Sequence, residues 1–323
     1  MTAARDLSLE TLQLEQDGRV LTVRFSNPPL NFMTTGFIRE LEQLTRSVDR
    51  DPTVGAVVFT GGLEGRFLTH LDARELAGIG DVPHPKLPMW AAQVLVLVLN
   101  VVVRLPGVAS LLERFGGAPG KGIVMGHRWK GLTLRMNRSS AVYIAAINGP
   151  VLDGGLEIVL ACDLRYAADA AHLRMAQMEM LVALIPGGGG SQRLLRMLGP
   201  ARALEHVLEG VPLTAQQALE RGLVHRVVPE EELLTEAHAT AARLARRSPT
   251  AVAALKRCLC FGLDRRLSRA LDLETAGFLS AGSTKAASAV LKPFLEDLER
   301  LGDTPFIAEP GPWIDGTRFD QVG

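Results

Sequence analysis

The alternation of strand-like and helix-like patterns in the first half of the chain most limits the fold it can adopt. A strand-like run at Arg19–Phe25 precedes a helical pattern at Thr35–Val48, and an apolar run at Val54–Thr60 follows. A second unit begins at Ala141–Asn148, where a strand-like run leads into a Gly-rich turn and a short apolar helix. Strands that alternate with helices in this way predict an α/β fold.

From Pro200 onward the pattern becomes almost wholly helical. Helical stretches continue as far as Gly302, and the residues beyond are rich in Pro and Gly. These shifts divide the chain into a core at 8–199, a helical region at 200–302 and an extended tail at 303–323. Apolar stripes in the helical region are as compatible with packing on the protein's own core as with packing against another subunit.

Charge balance and cysteine usage exclude several classes of function. Thirty-five Lys and Arg residues balance thirty-five Asp and Glu residues, so we expect no nucleic-acid partner and no general attraction to anionic lipid. The three cysteines are too few and too clustered for a disulfide framework, and they lack the second ligand pair of a zinc site. No metal site is expected. The cysteine usage and the polar N-terminus predict a cytoplasmic protein.

Two glutamates lie in stretches that offer a carboxylate no nearby partner. Glu157 shares the run 141–162 with one other charge, Asp153, and Glu179 is the only charge in the run 175–192. A carboxylate buried without a partner is strongly destabilising, so it either finds a cation or N–H donors elsewhere in the fold or has its pKa raised. The first outcome is structural and the second favours acid/base chemistry. The residues alone leave both open.

Gly-rich turns beside these glutamates predict helix starts. At Gly154 the free N–H groups and the positive end of the helix could hold an oxyanion. Asp72 and Glu75 have capping-box spacing, which predicts another helix start with an exposed N–H just upstream. The run Gly187–Gly190 resembles a phosphate cradle, but no Lys followed by Ser or Thr comes after it, so we do not expect a P-loop.

Taken together, these segments resemble the crotonase superfamily of enoyl-CoA hydratases and isomerases. The likeness rests on three blocks, Phe67–Asp72, Ala145–Asp163 and Gln177–Arg193. It extends through Pro212–Pro229 and Ser248–Lys256, and it covers residues 8–300 apart from an apolar insert. The resemblance implies a crotonase-like β/α spiral core with a helical C-terminal oligomerisation region. It also implies a homotrimer or a hexamer built from two trimers.

The resemblance assigns roles to individual residues. The backbone N–H groups of Leu71 and Gly154 match the family's oxyanion hole, and Glu157 and Glu179 match its two catalytic glutamates. CoA or substrate contacts are implied for Leu30, Arg66, Phe67, Leu68, Thr69 and Asp72. Hydratases of the family hold a water between the two acids, whereas its isomerases commonly keep one acid. The pair therefore favours an enoyl-CoA hydratase of fatty acid metabolism, a lyase that acts on an acyl-CoA thioester without a cofactor.

Three departures from the family pattern keep alternatives open. His70 stands where the family usually has Gly, Leu71 replaces a small residue, and Asp153 replaces the first of three glycines. We expect Asp153 to cap the following helix through its side chain and His70 to adopt an unusual backbone angle. The alternatives are an enoyl-CoA isomerase and a non-catalytic crotonase-fold protein that binds acyl-CoA.

An uncharged apolar run at Met89–Val103 lies within the insert at about 83–121. Its fifteen residues fall short of the ~20 needed to span a bilayer. Packing within the protein or against a subunit, a lid over an acyl pocket, and contact with a membrane surface all remain open. Membrane contact is the least favoured, because Lys86 and Arg104 offer few basic anchors.

Overall fold

A largely parallel sheet forms the centre of the molecule in a computed structural model that describes residues 3–75 and 87–320. Across these residues its strands are, in spatial order, β1 Leu12–Asp17, β2 Val20–Phe25, β3 Ala56–Gly61, β4 Val142–Ile147, β6 Leu164–Ala168 and β8 Arg226–Val228. The first two strands pair antiparallel, and the other neighbours pair parallel. A smaller parallel sheet joins β5 Val151–Leu152 to β7 Met175–Ala176. The predicted α/β class is confirmed.

Helices surround the sheet and make up most of the C-terminal part of the chain. In chain order before β6 these are α1 Thr35–Val48, α2 Met89–Val102, α3 Val108–Phe115, α4 Gly117–Met136 and α5 Gly154–Ala161. After β7 come α6 Gly190–Leu198, α7 Pro200–Glu209, α8 Ala215–Glu220, α9 Leu233–Leu244, α10 Pro249–Gly262, α11 Leu267–Gly282, α12 Lys285–Leu301, α13 Pro305–Ala308, α14 Gly311–Ile314 and α15 Thr317–Asp320. The helical C-terminal region is therefore present as predicted.

The core lies around the central strands, and it fixes the loop that follows β3. Every residue of β3 and β4 is buried, which is why these strands read as continuous apolar runs. The ring of Phe25 lies 5.3 Å from that of Phe37 on α1 and 5.4 Å from that of Phe67. The Asn31 side chain donates to the carbonyl oxygens of both Phe25 and Phe67. These contacts hold the chain at Phe67 against the sheet, so the residues that follow it start from a rigid support.

The apolar insert places an exposed helix beside a cavity. No residue of α2 is buried, and Trp90, Leu97 and Val101 are each more than 60% exposed. Its other side, with Val96 and Leu99, lines a cavity of about 950 Å³ that α4, α6, α10 and residues 186–189 also border. The first part of the insert lies outside the described residues. Within residues 3–75 and 87–320, no helix is long and apolar enough to cross a bilayer.

The tail forms the short helices α13 to α15, where its Pro and Gly content predicts an extended arm. Trp313 is buried, and its ring contacts those of Phe294 and Phe306. Its indole N–H donates to Asp297, and Arg247 donates to its carbonyl oxygen. Pro and Gly mark the breaks between the helices, but a buried tryptophan holds the segment against the helical region.

Candidate active site

Glu157 is buried on α5 but has hydrogen-bond donors. All eight residues of α5 are buried. The Oε1 atom of Glu157 accepts hydrogen bonds from the backbone N–H groups of Gly188 at 2.7 Å and Gly190 at 2.9 Å. Burial raises the pKa of Glu157, and the two amides, the nearby Arg193 and the indole of Trp129 oppose that rise. Glu157 is thus the better placed of the two acids to carry a negative charge.

The Gly-rich run before α6 holds this carboxylate. A Cβ atom added to Gly188 would lie 1.8 Å from Trp129 Nε1 and 2.0 Å from Glu157 Oε2, so no side chain fits there. Gly189 has φ of 111°, in the left-handed region that favours glycine. In the sequence the run resembles a phosphate-binding loop, but in the structure its backbone N–H groups donate to the carboxyl group of Glu157. The sequence does not reveal that Gly188 and Gly190 donate to Glu157.

Glu179 stands in a very different environment. It opens a single 3-10 turn, Glu179–Val182, which follows β7. Its Oε2 atom is buried and has no hydrogen-bond partner among the described residues. Burial, followed by the charges of Asp153 and Glu157, raises the pKa of Glu179 to about 8. At neutral pH the protonated form of Glu179 therefore predominates.

Asp153 precedes α5 but does not cap it, so the predicted capping role is wrong. Its backbone has φ of 49°, and its side chain makes no hydrogen bond to the amides of α5. Instead its Oδ1 atom accepts from the backbone N–H of Met178 at 2.6 Å. The Asp153 carboxylate therefore bonds to the segment that follows β7, which lies beside the start of α5 in space. Asp153 ties the start of α5 to the turn that carries Glu179.

The two N–H groups expected to form an oxyanion hole have no acceptor within the described chain. Leu71 forms a bridge with Met33, but the hydrogen bonds of that bridge are made by the neighbours of Leu71. Gly154 is the first residue of α5, so its N–H has no partner within the helix. The N–H of Gly155 donates to the carbonyl of Thr69 at 3.1 Å, which brings the two segments side by side. A role of these two N–H groups as an oxyanion hole stays a prediction.

His70 does not adopt the unusual backbone angle expected from the sequence. Among described residues other than Gly, positive φ occurs at Asn31, Asp153 and Ala183. The ring of His70 lies 4.5 Å from that of Phe32, and its Nδ1 atom is 2.8 Å from the carbonyl oxygen of Leu71. His70 therefore fits in ordinary backbone geometry, held by a ring contact.

The loop residues with an implied role in CoA binding differ in what they can offer a ligand. The side chains of Phe67 and Leu68 lie fully in the core, and Thr69 is buried too. Phe67 and Leu68 expose no surface, backbone included, in this structure. Leu30 and Arg66 are partly exposed. A contact with CoA through these residues stays a prediction.

Asp72 serves a local ion pair. Its carboxylate accepts hydrogen bonds from the guanidinium of Arg74, with a shortest distance of 2.6 Å, and this pairing lowers the pKa of Asp72. The predicted capping box with Glu75 does not form, because the Glu75 carboxylate accepts from the backbone N–H of Thr35 at 2.8 Å. The helical turn that begins after Asp72 is therefore tied to α1.

Comparison with known proteins points to one family. The family model for enoyl-CoA hydratase/isomerase matches residues 109–301. The chain is 30% identical to a probable enoyl-CoA hydratase of Mycobacterium bovis, over 90% of this chain and 96% of the relative. It is 28% identical to a short-chain-enoyl-CoA hydratase of Clostridium acetobutylicum, with the same coverage. The crystal structure of an enoyl-CoA hydratase from Bacillus anthracis matches with a TM-score of 0.71 and 26% identity, over 89% of this chain and 97% of that chain.

The chain belongs to the enoyl-CoA hydratase/isomerase family. The resemblance carried by the three sequence blocks is thereby confirmed, and so is the crotonase-like fold, since the solved structures match along most of the chain. Proteins of this family act on acyl-CoA thioesters.

Proposed function

We propose that the protein is an enoyl-CoA hydratase that adds water across the 2,3 double bond of an acyl-CoA thioester. The observation that carries this proposal is the contrast between two neighbouring carboxyl groups. Glu157 receives two amide hydrogen bonds on one oxygen, whereas Glu179 has an unpartnered buried oxygen and a pKa raised to about 8. Environments that separate the pKa values of two acids suit one to act as a base and the other as an acid.

The thioester oxygen would bind the free N–H groups of Leu71 and Gly154. As the hydroxyl adds to C3, electrons of the double bond move toward this oxygen and create negative charge there. Two backbone donors and the positive end of α5 would stabilise that charge. Removal of one such donor typically costs about 3 kcal/mol of transition-state stabilisation.

The two glutamates would then move the protons. Ionised Glu157 accepts a proton from water while the water oxygen forms its bond to C3. Protonated Glu179 donates its proton to C2, which restores the thioester carbonyl. Glu157 ends with one extra proton and Glu179 ends without its proton, so one proton transfer from Glu157 to Glu179, direct or through solvent, resets the pair. The sequence of steps requires no cofactor besides the CoA of the substrate.

Isosteric substitution of each glutamate tests the proposal. Glu157→Gln and Glu179→Gln should each lower the hydration rate by at least ~100-fold, because general acid/base steps typically contribute about 10²–10⁴. Binding of a saturated acyl-CoA should stay close to that of the wild type, since shape is preserved. The assay is the loss of absorbance of a 2-enoyl-CoA, and Glu274→Gln, at an exposed position on α11, is the matched control.

Three outcomes would contradict the proposal. Near-normal hydration in both variants would reject the two-glutamate mechanism. Isomerisation of a 3-enoyl-CoA by the wild type, sensitive to Glu179→Gln alone, would identify an isomerase. Tight acyl-CoA binding without turnover over a panel of chain lengths would identify a binding protein.

A further inference from the structure

An indole N–H on α4 is buried beside Glu157 without a hydrogen-bond partner. Trp129 is 4% exposed, and its Nε1 atom finds no acceptor among the described residues. A buried donor without an acceptor is destabilising and uncommon in folded proteins. The position of this N–H therefore calls for an explanation other than stability.

The N–H points toward the free oxygen of Glu157. Trp129 Nε1 and Glu157 Oε2 lie 1.8 and 2.0 Å from one point, the place where a Cβ of Gly188 would be, so they are no more than about 4 Å apart. Both atoms fit only because residue 188 is glycine. Movement of about 1 Å would bring the N–H within hydrogen-bond distance of the carboxylate. Gly188 is itself held in place, since Arg193 donates to its carbonyl oxygen.

The other donors leave this oxygen available. The two amide hydrogen bonds to Glu157 fall on Oε1, and Oε2 accepts none from the described residues. The charged or titratable groups that face Glu157 from neighbouring elements are Arg193 on α6 and Glu179 on the turn after β7. Besides Arg193 and Glu179, Glu157 therefore faces one uncharged side-chain donor among the described residues, the indole N–H of Trp129.

We propose that Trp129 is a positioning residue whose indole N–H closes on Oε2 of Glu157 when the carboxylate is ionised and releases it when Glu157 takes the proton from water. The proposal rests on the proposed role of Glu157 as the general base. A donor to the charged form of a carboxyl group favours that form. The indole therefore extends the pH range over which Glu157 is a competent base, and it selects the rotamer in which the carboxylate faces the water.

Trp129→Phe removes the N–H and keeps the ring. We expect the acidic limb of the kcat/KM profile to move to higher pH, with activity about fivefold or more below that of the wild type at the acidic end and within about twofold at pH 8. KM should hardly change. At acidic pH, where Glu157 is protonated and the indole N–H has no partner, the melting temperature should not fall. Trp90→Phe on the exposed face of α2 is the matched control.

A spectroscopic measurement tests the same contact without turnover. The chain has three tryptophans, so the Trp129 indole N–H resonance can be assigned by substitution. In the wild type its nitrogen and proton shifts should titrate with the ionisation of Glu157. In Glu157→Gln that titration should disappear.

The outcomes separate this proposal from the proposed function. If Glu157→Gln is inactive while Trp129→Phe has the pH profile and the rates of the wild type, the hydratase stands and the positioning role is refuted. A fall in rate that is uniform across pH and accompanied by a lower melting temperature would show a packing role only, which also refutes it. Near-normal activity of Glu157→Gln would reject the hydratase mechanism, whereas a pH-independent indole resonance would reject the contact.

Discussion

The carboxylate of Asp153 should set the alkaline limit of activity. Its negative charge is one of the causes that raise the pKa of Glu179 to about 8, after burial. Asp153→Asn removes the charge but keeps an oxygen that can accept from the N–H of Met178, so the tie between α5 and the turn of Glu179 should survive. We therefore expect the change to act on the proton of Glu179 with little effect on the fold.

The size of the effect follows from the protonated fraction of Glu179. With a pKa of about 8, half of the wild-type molecules carry the proton at pH 8. If loss of the charge lowers that pKa to about 7, the protonated fraction at pH 8 falls to about one tenth. The rate should then drop about fivefold at pH 8, about tenfold at pH 9 and hardly at all at pH 6.

The measurement is kcat/KM for 2-enoyl-CoA hydration from pH 5.5 to 9.5. The wild type should lose activity above pH 8, and Asp153→Asn should lose it at a lower pH. Asp153→Gly, which relieves the positive φ, should show the same displacement, because both variants lack the charge. Asp169→Asn, at an exposed position directly after β6, should match the wild type. An alkaline limb that stays in place in both Asp153 variants would refute the coupling between Asp153 and Glu179.

Three further predictions concern the cavity, pH-dependent stability and the ion pair of Lys256 and Asp163. Gly126 lines the cavity and has open space beyond its Cα, so Gly126→Phe should lower kcat/KM for long-chain relative to four-carbon substrates by ~10-fold. Gly131→Phe, outside the cavity lining, should leave that ratio unchanged, and equal ratios in both variants would exclude the cavity from acyl binding. Glu179 has a folded-state pKa of about 8 against an ordinary value of 4.5, so its contribution to stability is complete below the ordinary value and is lost as pH rises through about 8. Glu179→Gln should therefore have a higher melting temperature than the wild type at pH 9, and a difference in melting temperature that does not grow with pH would contradict this. Lys256 is buried and donates to the partly buried Asp163 at 2.7 Å. Lys256→Met should therefore lower the free energy of unfolding in urea by about 3 kcal/mol, and a loss below about 1 kcal/mol would show that Asp163 finds another partner.

The sequence predicts the parts of the site that depend on local pattern. Apolar neighbours on both sides of Glu157 and Glu179 predict acids in an unfavourable environment, and burial is indeed the largest cause of the raised pKa of each. A Gly-rich turn before an apolar run predicts the helix that starts at Gly154. These features are encoded within a few residues of one another, so a linear reading can find them.

Contacts between segments that are distant in sequence cannot be predicted from local patterns. Asp153 has the residue type and position of an N-cap, but its oxygen is taken by Met178, 25 residues further along the chain. The donors to Glu157 lie 31 and 33 residues away, in a glycine run whose pattern alone suggests a phosphate ligand. Trp129 gives no sequence signal, because an indole on an apolar helix face is usually part of the core. Which partner a polar atom finds is decided by the packing of the elements.

The supports of the two glutamates differ in a way that should appear in their motion. Glu157 is anchored on a helix buried along its whole length, whereas Glu179 heads one turn whose next residues, including Leu181 and Val182, are largely exposed. Segments with few buried contacts open without unfolding the rest of the protein. Amide hydrogens around Leu181 should therefore exchange with solvent deuterium much faster than those of α5. A bound acyl-CoA that presses on this turn should slow their exchange, so the acid side of the site would gain rigidity when the substrate arrives.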